Sequence, residues 1–309
     1  MLSRQQKYIL LKFFSLFSVV RGYNVLVLVT AQYLASIFIF SPDKSLSQIL
    51  FDLHLHYLIL ATICVVSAGY IINDFYDDKV DRINRPIKTR IDNYVKQETK
   101  LTLYFILNAL GFLFGLLVSW RAAVFFVVYI TGIWLYSHKL KNYPFFGLLS
   151  ATILTILPFF VVFIHFKNFS QIIFVHAIFL FLILMVRELI KDLESFKGAL
   201  VNNSKTFSIA YGESRSKQLS LVLLISTLIP VVLLFSYPEL GQMRYYFYFA
   251  LLVILFTGFY LLKSNSIKHY RFIHNILKLL LLAGVLSLVL IDTSLIVEKV
   301  INKLGYHLI

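Results

Sequence analysis

Nine apolar stretches, each long enough to cross a lipid bilayer, constrain the fold of this chain more than any other feature. A bilayer core about 30 Å thick is spanned by roughly 20 helical residues. The stretches lie near residues 22–40, 57–77, 101–119, 121–137, 147–166, 170–187, 218–236, 245–262 and 273–295. Because backbone polar groups find no water within lipid, we predict an all-α integral membrane protein with nine transmembrane helices. No Pro/Gly/Ser linker divides the chain, so residues 1–309 are interpreted as a single domain.

The distribution of positive charge predicts the orientation of these helices. Only six of the 29 lysines and arginines lie on the side opposite the N-terminus, namely Lys44, Arg121, Lys167, Arg244, Lys299 and Lys303. Since short cytoplasmic connections are enriched in lysine and arginine, we predict a cytoplasmic N-terminus and an external C-terminus. We expect the membrane to be the inner (plasma) membrane of a bacterium. The net charge of +14 then reflects topology, and nucleic acid is not an expected partner.

Acidic residues are few and concentrated in two charged connections, near 78–100 and 188–217. Of the 15 Asp and Glu residues, seven form two clusters: Asp74, Asp77, Asp78 and Asp81, and Glu188, Asp192 and Glu194. If the second span continues as a helix, Asn73, Asp77 and Asp81 recur every four residues and share one face. Like charges at this spacing repel each other, which favours a bound cation.

Oxygen ligands of this kind are typical of Mg²⁺, which binds through one or two carboxylates together with substrate phosphates. Basic residues of the type that binds phosphate lie nearby, namely Lys79, Arg82, Arg85, Lys139 and Lys141. The simpler alternative is a solvated helix end whose aspartates are balanced by these bases. The regular spacing along one face favours a site for a metal and a phosphate.

Five segments, in order, resemble the UbiA family of intramembrane prenyltransferases. "NDFYDDKVD" at 73–81 is similar to the family motif Asn-Asp-x-x-Asp-x-x-x-Asp, and "RINRP" follows it directly. "RGYN" at 21–24 is similar to Arg-Pro-x-Asn, with Gly22 in place of proline. The remaining similar segments are "LYSHKLKNYPFFG" at 135–147, "RELIKDLESFKG" at 187–198 and "SKTFSIAYG" at 204–212.

The resemblance implies a bundle of nine helices around a central cavity, capped by cytoplasmic loops at about 78–100 and 188–217. It also implies Mg²⁺-dependent transfer of an isoprenyl group from an isoprenyl diphosphate to an acceptor. By position in the motifs, the metal ligands would be Asn73, Asp77, Asp81 and Asp192, of which the three aspartates are the expected catalytic residues. The residues expected to bind substrate are Arg21, Asn24, Arg85, Lys141 and Lys191.

The second motif departs from the family pattern. Typical members have aspartates at the positions occupied here by Asp192, Ser195 and Ala199, so two of three carboxylates are missing. Glu188 lies four residues before Asp192 on the same helical face and is the expected additional metal ligand. Glu194 is the alternative if the helix ends at Asp192.

Three functions remain open from the sequence. The first is prenyl transfer, with either an aromatic quinone precursor or a prenylglyceryl phosphate as the acceptor. The second is a catalytically silent relative that keeps the fold. The third is a transporter, but transporter ion sites usually lie near the bilayer midplane, whereas these acids lie at one interface. We therefore favour the enzyme.

Overall fold

The computed structural model describes residues 3–201 and 205–292, and this part of the chain is helical with no β-strand. The α-helices, numbered in chain order, are α1 (Arg4–Val19), α2 (Gly22–Ala35), α3 (Leu46–Leu50), α4 (Leu53–Asn84), α5 (Pro86–Asp92), α6 (Gln97–Val118), α7 (Trp120–His138), α8 (Pro144–Phe166), α9 (Gln171–Glu194), α10 (Phe196–Val201), α11 (Phe207–Ser226), α12 (Leu228–Phe235), α13 (Arg244–Lys263) and α14 (Ile267–Ser287). A π-helical turn at Ser36–Phe40 extends α2, and 3₁₀ turns cover Leu140–Asn142, Pro238–Met243 and Leu288–Leu290.

Nine helical segments of the described chain are long and apolar enough to cross a membrane, which confirms the predicted number. Several boundaries differ from the prediction: the sixth span ends at Glu194 and not at 187, and the eighth and ninth begin at Pro238 and Ile267, six or seven residues early. The second span, Leu53–Asn84, continues well beyond 77, and the seventh, Phe207–Phe235, begins well before 218. The predicted end of the last span at 295, and the C-terminus, lie outside the described residues.

The two charged segments expected as cap loops are largely helical. The first, 78–100, contains the end of α4, all of α5 and the start of α6. Two features explain this: Arg82 and Asp78 form an i, i+4 ion pair at 2.8 Å, and Pro86 starts α5 at a position that needs no amide donor. The second, 188–217, contains the end of α9, all of α10 and the start of α11.

Local sequence determines two further breaks. Ser119 is extended between α6 and α7, and its hydroxyl accepts a hydrogen bond from the Ala122 N–H at 3.1 Å. This N-cap explains why two spans meet at residue 120 with almost no loop. In α11, Gly212 has φ 83°, a left-handed conformation that glycine adopts without strain, and the helix kinks there.

Close packing of α6 against α4 and α7 depends on two glycines one helical turn apart. A Cβ atom on Gly111 would lie 2.5 Å from Val65 Cγ2, and one on Gly115 would lie 2.8 Å from Phe126 Cδ2. Small residues at this spacing allow membrane helices to approach closely, where van der Waals contact replaces the hydrophobic driving force.

The proline inside α8 is accommodated by a neighbouring helix. Pro158 has no N–H, so the carbonyl of Leu154 lacks its usual partner in the helix. The Tyr129 hydroxyl, from α7, donates a hydrogen bond to that carbonyl at 3.0 Å. On the other side, the buried Gln32 amide of α2 donates to the Pro158 carbonyl at 2.7 Å. Within lipid such substitute bonds are required, and here they connect α2, α7 and α8.

Candidate active site

The first acidic cluster lies on the last turns of α4, which stays helical to Asn84. Asn73, Asp77 and Asp81 therefore share one face, as their spacing requires. The Asn73 amide donates a hydrogen bond to Asp77 Oδ2 at 2.8 Å. Asp81 interacts electrostatically with Arg85, Asp77 and Arg21. The face thus carries two carboxylates and one amide.

Lys141 joins this face from the 3₁₀ turn that connects α7 and α8. Its ammonium group lies 2.5 Å from Asp77 Oδ1, with the lysine and aspartate side chains 19% and 27% exposed. The same ammonium stands 5.6 Å from the centroid of the Tyr76 ring. One predicted metal ligand is therefore already paired with a predicted phosphate-binding residue.

The second acidic cluster lies on the last turns of α9. Glu188 accepts a hydrogen bond from Lys191 Nζ at 2.6 Å and pairs with Arg187 at 3.5 Å. Asp192 accepts a hydrogen bond from the backbone N–H of Phe207, at the start of α11. Glu188 and Asp192 lie one turn apart on the same face, as predicted for a two-carboxylate site.

Carboxylates of both clusters lie within electrostatic range of one side chain, Tyr136 of α7. The Tyr136 side chain interacts electrostatically with Asp77 of the first cluster and with Glu188 and Asp192 of the second. Arg21 interacts with the same tyrosine. Residues more than 100 positions apart in the chain are thereby brought to one site.

Of the remaining predicted substrate-binding residues, Arg21 and Arg85 interact with residues of the site, whereas Asn24 is exposed. Arg21 has φ 49° at the junction of α1 and α2, and its guanidinium stands 5.0 Å from the Tyr70 ring centroid. Arg85 interacts electrostatically with Asp81 and with Glu194, between the clusters. Asn24 is exposed, and its side chain makes no hydrogen bond with the described residues.

Glu194, the alternative metal ligand, has other partners. Helix α9 continues to Glu194, whose carboxylate accepts from Arg271 Nε at 3.0 Å and contacts His274 Nδ1 at 2.6 Å, both on α14. Ser195 occupies a position where typical family members have an aspartate. Its hydroxyl donates a hydrogen bond to the Lys191 carbonyl at 2.8 Å. Glu188 is therefore the carboxylate that remains next to Asp192.

Two hydrogen bonds of the Asn84 side chain connect the two motif segments and fix the position of one cluster relative to the other. The Asn84 amide nitrogen donates to the Ser195 carbonyl, and its oxygen accepts from the Gly198 N–H, both at 3.2 Å. A Cβ atom on residue 198 would lie only 2.4 Å from the Asn84 amide nitrogen. A side chain at 198 would displace the Asn84 amide from these bonds, so the glycine allows the end of α4 to be joined to α10.

Two aspartates of the first motif are directed elsewhere. Asp74 pairs with Lys100 of α6 at 2.9 Å, and this lysine is only 2% exposed. Lys88 of α5 also pairs with Asp74, at 3.4 Å, and with the buried Asp92. Asp78 pairs with Arg82. Asp74 thus joins α4 to α5 and α6, whereas the Asp78 pair lies within α4. Asn73, Asp77 and Asp81 remain on the other face.

The donor atoms of the site suit magnesium. As they stand, no three His, Cys, Asp or Glu side chains of the described residues are grouped to hold a metal ion. However, the Asn73–Asp77–Asp81 face and the Glu188–Asp192 pair offer only oxygen ligands, which Mg²⁺ prefers. Ammonium groups at Asp77 and Glu188 stand where a cation would lie. The residues therefore fit the ion.

The sequence analysis did not assign two further polar residues to the site. Lys278 lies in the middle of α14 and interacts electrostatically with Arg187, Arg85 and Arg21. His274, one turn earlier, is buried. The available signal was a single lysine within the apolar run "NILKLLLLAG", because an ionisable residue inside a membrane helix usually faces a polar interior.

These observations define a helical membrane protein whose polar site combines acidic and basic side chains. Comparison with known proteins identifies its family. The profile of the UbiA prenyltransferase family matches residues 13–290. The chain belongs to this family and is a membrane prenyltransferase, as the motifs predicted.

Individual relatives agree with the family assignment. The digeranylgeranylglyceryl phosphate synthase of Methanobrevibacter smithii is 30% identical over 70% of this chain and 79% of its own length. That of Saccharolobus solfataricus is 26% identical over 73% of this chain and 80% of its own length. A solved structure of a digeranylgeranylglyceryl phosphate synthase superimposes with a TM-score of 0.66 at 19% identity, covering 90% of this chain and 97% of the other. A UbiA homolog from Archaeoglobus fulgidus bound to GPP and Mg²⁺ gives 0.64 at 13% identity, covering 89% and 99%. These two likenesses show the fold.

Proposed function

We propose that this chain, acting as one membrane domain, transfers an isoprenyl group from an isoprenyl diphosphate to a prenylglyceryl phosphate in a Mg²⁺-dependent reaction. The observation that carries the proposal is the pair of acidic clusters within electrostatic range of Tyr136, each with one carboxylate paired with a lysine. The names of the archaeal relatives support the phosphorylated acceptor. The positive-inside pattern supports a cytoplasmic N-terminus and a site that opens to the cytoplasm.

The acidic residues would bind the metal ions, and the basic residues would bind the diphosphate. Asn73, Asp77 and Asp81 would hold one Mg²⁺, and Asp192 with Glu188 the second. When bound, the metal neutralises negative charge on the departing diphosphate. Lysine and arginine can stabilise the same developing charge at preorganised positions.

Lys141 is the residue placed to exchange partners. Its ammonium group is paired with Asp77 in this structure, and it could bind phosphate oxygens instead if Asp77 held Mg²⁺. Lys191 stands in the same relation to Glu188. Arg21 and Arg85, which interact electrostatically with Asp81, add positive charge for the diphosphate.

In the reaction, the bond between the prenyl C1 carbon and the diphosphate oxygen breaks. The acceptor hydroxyl oxygen bonds to that carbon, and its proton passes to an oxygen of the departing diphosphate. The allylic carbon becomes electron-poor and must be shielded from water. Aromatic rings near the first cluster, including Phe75, Tyr76 and Tyr136, offer π-electron density to such a carbon.

The test is an incorporation assay with membranes containing the protein and a labelled isoprenyl diphosphate. Three acceptors are compared: a prenylglyceryl phosphate, the same lipid without its phosphate, and an aromatic acid. We expect label only in the phosphorylated lipid, loss of transfer when Mg²⁺ is chelated, and recovery when it is restored. Asp81→Ala is the inactive control. Transfer to the aromatic acid alone would overturn the assigned acceptor, and transfer without divalent metal would overturn the metal assignment.

A further inference from the structure

A group of positive charges lies between the two motif segments and α14. Lys278 interacts electrostatically with Arg21, Arg85 and Arg187. Of these four cations, only Arg187 forms an ion pair with a carboxylate of the described chain, at 3.5 Å from Glu188. Several like charges brought together in a poorly hydrated interior repel each other. The arrangement therefore favours an anionic ligand.

Two buried nitrogen atoms, on side chains that interact electrostatically with each other, have no hydrogen-bond partner within the described chain. Arg187 Nε on α9 and His274 Nε2 on α14 are buried and make no hydrogen bond within the described chain. His274 is only 3% exposed, and its other ring nitrogen already contacts Glu194 at 2.6 Å. Because buried polar groups normally have partners, two such atoms on adjacent helices indicate a ligand.

A phosphate monoester can form hydrogen bonds with Arg187 Nε, with His274 Nε2 and with the Lys278 ammonium group. Its oxygens accept hydrogen bonds from the Arg187 N–H and the Lys278 ammonium, as charge-assisted bonds. Its monoanion also carries a hydroxyl group, so it pairs with the His274 ring nitrogen in either tautomer. A carboxylate or a neutral lipid meets fewer of these requirements.

Arg21 and Arg85 of this group are assigned above to the diphosphate, which leaves Arg187, Lys278 and the neighbouring His274 without an assigned ligand. Lys141 and Lys191 are already paired with the predicted metal ligands. Arg187, His274 and Lys278 lie beside the second cluster, where α9 packs on α14 and Glu194 anchors the histidine. We propose that Arg187, His274 and Lys278 form the subsite that binds the acceptor's phosphate. This inference rests on the proposed function and extends it to the residues that select a phosphorylated acceptor.

The test measures binding separately from transfer. The purified protein is titrated with a prenylglyceryl phosphate, with the same lipid lacking its phosphate, and with an isoprenyl diphosphate plus Mg²⁺. The unaltered protein should prefer the phosphorylated lipid by about tenfold or more, the equivalent of one charge-assisted hydrogen bond. Lys278→Met should abolish that preference while binding the isoprenyl diphosphate within about twofold of the parent. Lys268→Met, an exposed lysine at the start of the same helix, is the matched control.

The outcomes are distinguishable. If Lys278→Met weakens the isoprenyl diphosphate and leaves the acceptor lipid unaffected, the group belongs to the donor site and the inference is wrong. It is also wrong if the parent protein does not distinguish the two lipids. Lys278→Arg should restore the preference, which separates charge from folding. If the preference behaves as expected but no prenyl transfer occurs, the subsite stands and the proposed function fails.

Discussion

The ion pair between Lys141 and Asp77 makes the sharpest test of the site. The two charged atoms lie 2.5 Å apart, and both side chains are mostly shielded from solvent. A cation that binds Asp77 must displace the lysine before it can use that oxygen. Replacing Lys141 with methionine keeps a side chain of similar length and removes the charge. The Asn73 amide then remains the only described hydrogen-bond partner of Asp77.

The magnitude follows from the bond that is lost. A hydrogen bond to a charged group contributes about 1.5–3 kcal/mol net, and partial exposure places this pair near the lower end. Since about 1.4 kcal/mol is a factor of ten, Lys141→Met should strengthen Mg²⁺ binding about tenfold in the absence of diphosphate. Turnover should fall at the same time, because the phosphate oxygens lose their lysine.

The assay is a magnesium titration of the purified protein, followed by a transfer assay at saturating metal. Lys139→Met is the matched control, since Lys139 is exposed and its ammonium group has no partner in the described chain. Opposite shifts in metal affinity and turnover would identify a lysine that exchanges partners. Unchanged or weaker metal binding in Lys141→Met would refute the reasoning, because Asp77 would then not be the residue that takes the ion.

Three further predictions follow from the structure. Glu188→Gln should lower turnover and raise the magnesium requirement severalfold. Glu194→Gln, whose direct contacts are with Arg271 and His274 of α14, should leave the magnesium requirement at the parent value. Gly115→Val should destabilise the protein by about 1–3 kcal/mol, measured as a lower unfolding temperature in detergent, because the new side chain collides with a neighbouring ring. In intact cells carrying a cysteine-free background, a cysteine at Lys96 should be protected from an impermeant reagent, and one at Lys44 should react.

Each of these three predictions can be contradicted by a specific result. Equal magnesium titrations for the two glutamate variants would remove Glu188 from the metal site. For the glycine, Gly258→Val is the control, because its nearest neighbouring atom would be 3.8 Å away, an ordinary contact. Equal unfolding temperatures for the two glycine variants would contradict the close packing of α6. External labelling at Lys96 would reverse the proposed orientation.

The sequence was most informative where a pattern is local. Apolar length predicted the number of spans, and four-residue spacing placed Asn73, Asp77 and Asp81 on one face because α4 remains helical. It could not show that Asp74, in the same motif, turns to Lys100, because that pairing depends on how α6 packs against α4. Nor could it show that Glu194 is bound to His274, since α9 and α14 meet only in the tertiary structure.

The length of chain between bonded partners imposes an order in which the site can assemble during synthesis. The two lysines that neutralise Asp74 follow it by 14 and 26 residues, so this carboxylate is paired soon after α4 has been made. Asp77 must wait for Lys141, 64 residues later. The Asn84 bonds close loops of 111 and 114 residues and cannot form until α10 exists. A ribosome that has completed only the first five spans has therefore produced one half of the acidic site, with its register to the other half still undetermined.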